Sequence, residues 1–126
     1  MTFLNARLLP GIDIVIEATN LVDQLKGAAL VFTGEGRIDG QTACGKVPVG
    51  VAKRAKAFGL PVIAIAGEIK DGYQTIYQHG IDTVFSIAPG PISFDQSVAD
   101  AERLTADVAE RVTRLFICGT GKKQTN

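Results

Sequence analysis

At 126 residues, with 46% hydrophobic and 21% charged side chains, the chain is long enough for one domain with a modest core. Its thirteen basic and thirteen acidic groups cancel, which excludes the electrostatic footprint of a general nucleic-acid binder or a membrane-surface protein and leaves a small molecule as the expected partner. No apolar run reaches the roughly eighteen residues of a membrane span, the start MTFLNARLLP lacks the pattern of a signal peptide, and Cys44 and Cys118 form neither a metal cluster nor a disulfide framework, so a reducing cytoplasm is the expected setting.

The opening reads as two short helical pieces divided by Pro10 and Gly11. In the second piece Ile12, Val15 and Ile16 fit a helix face, while Ile12, Ile14 and Ile16 fit a strand. Leu21, Val22 and Leu25 follow at helical spacing, and Gly27 supplies a stop. Three short apolar runs come next: Ala28–Phe32 (AALVF), Pro61–Ala66 (PVIAIA) and Thr83–Ala88 (TVFSIA). Runs apolar throughout, or nearly so, are expected of parallel strands covered on both faces.

Between the first two, Val47, Val51, Ala55 and Phe58 recur at three and four residues, with Pro48 in a first helical turn and Gly59 after the last. Between the second and third, Asp71 is placed to cap a short helix, with Gln74 in capping-box position and Gly80 as its end. Ser93 and Gln96 predict another capping box, after which Val98, Ala101, Leu104, Val108, Val112 and Leu115 keep one apolar stripe over five turns. The tail 119–126 has no apolar residue and is expected to be disordered.

The expected fold is therefore α/β, a three-layer, Rossmann-like arrangement of a short, mostly parallel sheet with helices on both faces, in a single domain over residues 1–118. Three strands make a narrow sheet with two open edges, so self-association, or completion as part of a larger sheet, is expected.

Between the first strand and the first helix stands Thr33–Gly50, TGEGRIDGQTACGKVPVG. It gathers glycines 34, 36, 40, 45 and 50 with Glu35, Arg37, Asp39, Gln41 and Lys46. A glycine-rich polar loop in that position is where α/β proteins converge free backbone N–H groups on an anion. Gly40–Lys46, GQTACGK, satisfies G-x-x-x-x-G-K, but Val47 stands where a Ser or Thr would hold Mg²⁺. Gly34-Glu35-Gly36 begins like G-x-G-x-x-G, but Asp39 occupies the place of the third glycine.

Neither standard phosphate loop is met, and what remains is an anion site of a more general kind. Lys46 and Arg37 suit a phosphate or carboxylate. Glu35 or Asp39 suits Mg²⁺, or accepts a proton from a hydroxyl. The structural alternative has Asp39 and Gln41 capping turns, Glu35 and Arg37 pairing on the surface and Lys46 in water.

The stretch from Thr33 to Lys56, TGEGRIDGQTACGKVPVGVAKRAK, resembles the signature region of bacterial glycerate kinases of the first class, and the resemblance continues through PVIAIAGEI, HGIDTVFSI and the long terminal helix. It covers nearly the whole chain, yet only the C-terminal third of those enzymes. It implies two α/β domains with the substrates, D-glycerate and ATP with Mg²⁺, meeting in the cleft between them. It also implies that the isolated chain is inactive without the remaining segments.

On this sequence the family pattern falls on Thr33, Gly34, Glu35, Gly36, Arg37, Asp39, Gln41, Gly45, Lys46 and Pro48. Asp39 and Glu35 are then expected to handle the metal or the hydroxyl proton, while Arg37 and Lys46 neutralise glycerate carboxylate or phosphate. Gly67 and Glu68, at the end of the second strand, lie where α/β ligands gather, and the Pro89-Gly90-Pro91 turn follows the third. His79, Tyr73 and Tyr77 read as structural, and Cys44 lacks a histidine partner for nucleophilic chemistry. The alternative function is a catalytically inactive α/β module that binds a small anion or self-associates.

Overall fold

The computed structural model describes residues 2–3, 6–9, 23, 25–42 and 47–120. They form a five-stranded sheet in the order β1 (Thr2–Phe3), β2 (Ala6–Leu9), β3 (Val31–Ile38), β4 (Val62–Ile69), β5 (Thr83–Ser86). β1 is antiparallel to β2, and β2 to β5 run parallel. The α/β expectation holds, with one correction at the start of the chain. Ala6–Leu9 is a strand and not a helical piece, pairing Leu8 with Phe32 and Leu9 with Thr33.

A few residues ahead of Pro10 have no helical stability of their own, whereas the edge of β3 offers them backbone partners. Ile12, Ile14, Val15, Ile16, Leu21 and Val22 lie outside the described residues. Asp23 and Leu25 are helical, and the chain turns at Gly27.

Helix α1 (Val47–Lys56) connects β3 to β4, and a 3₁₀ helix (Tyr73–His79) connects β4 to β5. Because successive strands are also neighbours, crossovers of one hand place both connections on the same face. Val31, Val62, Ala64 and Ala66 pack there with Val51, Ala52 and Ala55 of α1 and with Ile76 and Ile81. Leu30, Phe32, Ile63 and Ile65 alternate to the other face, where Leu104, Val108, Ala109 and Val112 of a long C-terminal helix cover them. Helix, sheet, helix are the three layers.

Two capping expectations meet different outcomes. Asp71 does not cap: Gly72 is the N-cap of the 3₁₀ helix, at φ 83°, with no side-chain hydrogen bond. A Cβ on Gly72 would lie 3.0 Å from Gly40 Cα, so the turn is shaped by backbone contact with the end of β3 and not by a side chain. Gly80 ends the helix as expected, at φ 94°. Ser93 Oγ does accept from the N–H of Gln96 at 3.1 Å, while the Gln96 side chain donates to the carboxylate of Asp100.

Asp100 also divides the expected single helix into α2 (Phe94–Ala99) and α3 (Ala101–Gly119). The apolar stripe is broken with it: Leu104, Val108 and Val112 are buried, but Val98 and Leu115 are exposed. Gly119, expected in the tail, is the last residue of α3. No helix among the described residues is long and apolar enough to cross a membrane.

One polar lock joins three elements on the α1 side. Asp82 Oδ2, just ahead of β5, accepts from the Val62 N–H at 2.7 Å and from Lys56 Nζ at 2.5 Å, and Lys56 Nζ also donates to the Leu60 carbonyl at 3.1 Å. Asp82→Ala is expected to lower stability by about 1–2 kcal/mol, because it strands an amide that is part-buried. Asp82→Asn keeps an acceptor and gives up only a screened charge pair, so its loss in chemical denaturation is expected to be less than half as large. Equal losses would assign the effect to the charge.

Candidate active-site cleft

The strands that hold the site run further than their apolar runs. Among the described residues, pairing to β2 ends at Leu9 with Thr33 and pairing to β5 ends at Ser86 with Ala66. β3 and β4 continue together to Ile38 with Ile69, forming a two-stranded parallel ribbon beyond the carboxyl edge of the sheet. Thr33 to Ile38, expected as loop, is thus strand. Mutual pairing of β3 and β4 satisfies the backbone and overrides the low strand preference of the glycines.

The ribbon also turns over. Val31 and Val62 face the α1 side, and strict alternation would send Ile38 and Ile69, seven residues later in each strand, to the opposite side. Both instead pack with the α1 cluster, and Ile38 is fully buried. The change of phase falls around Gly36 and Gly67, which lie side by side. A Cβ on Gly67 would sit 2.9 Å from the Gly36 carbonyl oxygen, so the backbones approach there as only glycine permits. Two-stranded ribbons twist more strongly than wide sheets, which fits a change of face here.

On the α3 side of this edge opens a cleft of about 570 Å³. Its floor is Gly34, Glu35 and Gly36 of β3 with Ile65 to Glu68 of β4. Its walls are Ile87 and Ala88 after β5, Ile92 and Ser93 ahead of α2, Phe94, Ser97 and Val98 of α2, and Ala101 and Thr105 of α3. Among the described residues the lining contributes two carboxylates, Glu35 and Glu68, and no lysine or arginine. Glu68 is bridged by Lys70 at 3.2 Å and, more loosely, by Arg37 at 3.9 Å. Glu35 Oε1 accepts from the Gly36 N–H at 3.2 Å.

The expected site residues among those described are therefore spread over four places. Gly34, Glu35, Gly36 and Gly67 meet at the cleft, with Glu68 beside them. Arg37 stands exposed on the ribbon, paired with Glu68 and not with Glu35. Asp39 and Gln41 form a turn at the ribbon's end, where the Gln41 N–H donates to Asp39 Oδ1 at 2.9 Å and the Asp39 N–H donates to Thr42 Oγ1 at 3.0 Å. Thr33 is fully buried within β3, and its hydroxyl has no hydrogen-bond partner among the described residues. Cys44, Gly45 and Lys46 lie outside the described residues.

No group of three or more His, Cys, Asp or Glu able to hold a metal ion occurs among the described residues. Mg²⁺, however, takes only one or two carboxylates alongside phosphate oxygens and water, and Glu35 or Asp39 can supply one. The walls formed by Ile92, Phe94 and Val98 were not expected. Of the three, only Val98 belongs to the expected apolar stripe, and the break at Asp100 leaves it exposed beside the cleft.

A mostly parallel sheet covered on both faces, with a ligand-sized cleft beyond the carboxyl ends of its strands, is the α/β architecture in which small-molecule sites are commonly built. Residues 1–117 match the model of the glycerate kinase family, and the chain belongs to that family. It is 46% identical to a glycerate kinase of Halalkalibacterium halodurans over 89% of its own length and 30% of that protein. It is 48% identical to the glycerate 2-kinase of Escherichia coli over 80% of its length and 26% of that protein. A crystal structure assigned as glycerate kinase 2 from Salmonella typhimurium LT2 superposes with a TM-score of 0.61 at 37% identity, covering 86% of this chain and 26% of that one. The chain thus spans about 30% of the length of the curated relatives it matches.

Two of the cleft glycines, Gly36 and Gly67, are expected to respond differently to a methyl group. Gly67→Ala drives Cβ against a backbone oxygen and is expected to cost about 1–3 kcal/mol. Gly36→Ala meets no atom within 4 Å and is expected to stay within about 0.5 kcal/mol of the parent. Denaturant titration of both variants checks the contrast, and a tolerated Gly67→Ala would remove the close approach from the account of the ribbon.

Proposed function

We propose that residues 1–118 form one α/β domain of a cytoplasmic glycerate kinase and supply one wall of its active site, where the γ-phosphoryl group of ATP passes to a hydroxyl of D-glycerate. The observation that carries this reading is the cleft at the carboxyl ends of β3 and β4, floored by the glycines of the signature stretch. The names of the relatives support the reaction class.

Phosphoryl transfer depends on positioning and on neutralising charge. Among the described residues the cleft lining offers carboxylates and no cation, so in this reading the positive charge comes from residues outside that lining. Arg37 and Lys46 neutralise the glycerate carboxylate or the phosphates, and Thr33, Gly34, Gly36, Gln41, Gly45 and Gly67 are the substrate- and phosphate-binding set of this reading. Glu35, at the cleft floor, or Asp39, at the end of the ribbon, accepts the hydroxyl proton or holds Mg²⁺. The ion, when bound, screens charge between phosphate oxygens.

A second reading, an inactive module that binds a small anion or self-associates, draws on β5, an edge strand whose residues are all half-buried. The two differ in their requirement for further polypeptide. The isolated chain with D-glycerate, ATP and Mg²⁺ in a coupled assay is expected to show no turnover, and a rate of order 1 s⁻¹, ordinary for an enzyme, would refute the need for other segments.

Asp39→Asn separates turn from chemistry. The amide oxygen still accepts from the Gln41 N–H, so the turn is kept while the basic carboxylate is lost. In a full-length glycerate kinase carrying this chain in place of its matching segment, the substitution is expected to lower kcat by about 10²- to 10⁴-fold if Asp39 is the base. A change within about threefold would leave Asp39 as a turn former only.

A further inference from the structure

Two unlike surfaces line the cleft. On the α2 side the wall is Ile92, Phe94 and Val98. Phe94 is 79% exposed and Val98 60%, and they lie one turn apart on a single helix face. Ser93 caps the start of α2, Asp100 ends it, and Leu104 and Val108 anchor α3 in the core, so this apolar face is held open to the cleft. On the ribbon side the lining ends in charge. Glu68 is engaged by Lys70 at 3.2 Å and by Arg37 at 3.9 Å, and both cations keep more than half of their side chains in water. Exposed pairs of that kind are weak, so a ligand of higher negative charge draws both cations away from Glu68.

These surfaces discriminate between the two substrates of a glycerate kinase. A volume of about 570 Å³ is that of a site for a cofactor-sized molecule, and an apolar wall gives the hydroxyls and carboxylate of D-glycerate nothing to bond. A nucleoside triphosphate matches both sides. Its flat base buries apolar area and stacks on an aromatic ring, while its phosphates attract Arg and Lys.

We propose that this cleft is the nucleotide side of the active site, with the base of ATP seated on Phe94 and Val98 and its phosphates directed along the glycine floor toward Arg37 and Lys70. Lys70 thereby joins the residues that meet phosphate, and D-glycerate enters from outside this lining. The inference rests on the kinase reading for the identity of the nucleotide, and requires no role for Asp39 or Lys46.

The test uses two ligands that share phosphates and differ in the base: ATP and inorganic tripolyphosphate, each with Mg²⁺ and without D-glycerate. Their dissociation constants are measured by calorimetry on the H. halodurans glycerate kinase carrying this chain in place of its matching segment. Phe94→Ala is expected to weaken ATP by about 5- to 150-fold, the range for stacking on an aromatic side chain, and to leave tripolyphosphate within about twofold. Lys70→Gln is expected to weaken both ligands about tenfold, with Lys70→Arg restoring them. In turnover, Phe94→Ala is expected to raise KM for ATP and leave KM for D-glycerate within about twofold.

Equal weakening of both ligands by Phe94→Ala, or a rise in KM for D-glycerate alone, would overturn the proposal. So would a fall in the unfolding midpoint of the chimera by about 5 °C or more with both affinities unchanged, since Phe94 would then be packed against other polypeptide. Should the chimera fail to fold, alanine at the position aligned with Phe94 in the intact H. halodurans enzyme takes its place, with the same contrast between the ligands expected. A chimera that binds ATP through Phe94 but does not phosphorylate D-glycerate would sink the kinase reading and leave the nucleotide site standing; an active one whose ATP affinity ignores Phe94→Ala would do the reverse.

Discussion

The pairing of β3 with β4 is the constraint on which the rest of the molecule depends. It runs from Val31 with Val62 to Ile38 with Ile69, and each part of it serves a different layer. Its first half is the centre of the sheet, with Val31 and Val62 turned to one helical layer and Phe32 and Ile63 to the other. Its second half stands clear of β2 and β5 and becomes the floor of the cleft. The transition between them requires that two backbones come close at Gly36 and Gly67, which a side chain on Gly67 would prevent. The same residues thus belong to the core at one end and to the site at the other.

Much of this was legible in the residues, and the gaps have physical causes. AALVF, PVIAIA and TVFSIA were recognisable because strands buried on both faces have little room for polar side chains. Their ends were not, because glycine and charge normally mark a loop, and in Gly34 to Arg37 they mark a ribbon. Ile38 and Ile69, at matching distances from Val31 and Val62, were the available signal of that extension. β2 was unreadable for a different reason: its stability resides in the edge of β3 and not in Ala6–Leu9. Asp71 had the right chemistry for a cap one position too early, since Gly72 makes the turn.

The candidate cleft was legible more in its residues than in its arrangement. Position at the carboxyl ends of strands identified Gly34, Glu35, Gly36 and Gly67, and these do meet at one cleft. The pairing of charges was not legible. Arg37 meets Glu68 across the ribbon because the register sets those two residues opposite one another, and register is a property of two strands together. Periodicity misplaced Val98 for a related reason. It counts residues along one helix, and Asp100 ends that helix two residues later.

The order of layers also bears on how the chain is made. Both described crossovers, α1 and the 3₁₀ helix, cover one face of the sheet as the strands are formed, while Leu30, Phe32, Ile63 and Ile65 on the other face are covered by α3, which follows every strand in sequence. At about 5–20 residues per second, a ribosome would have finished β5 for several seconds before α3 was complete. During that interval the half-built sheet presents a bare apolar surface beside the open edge of β5. The nascent chain is thus most vulnerable to wrong association just before its last helix closes over it.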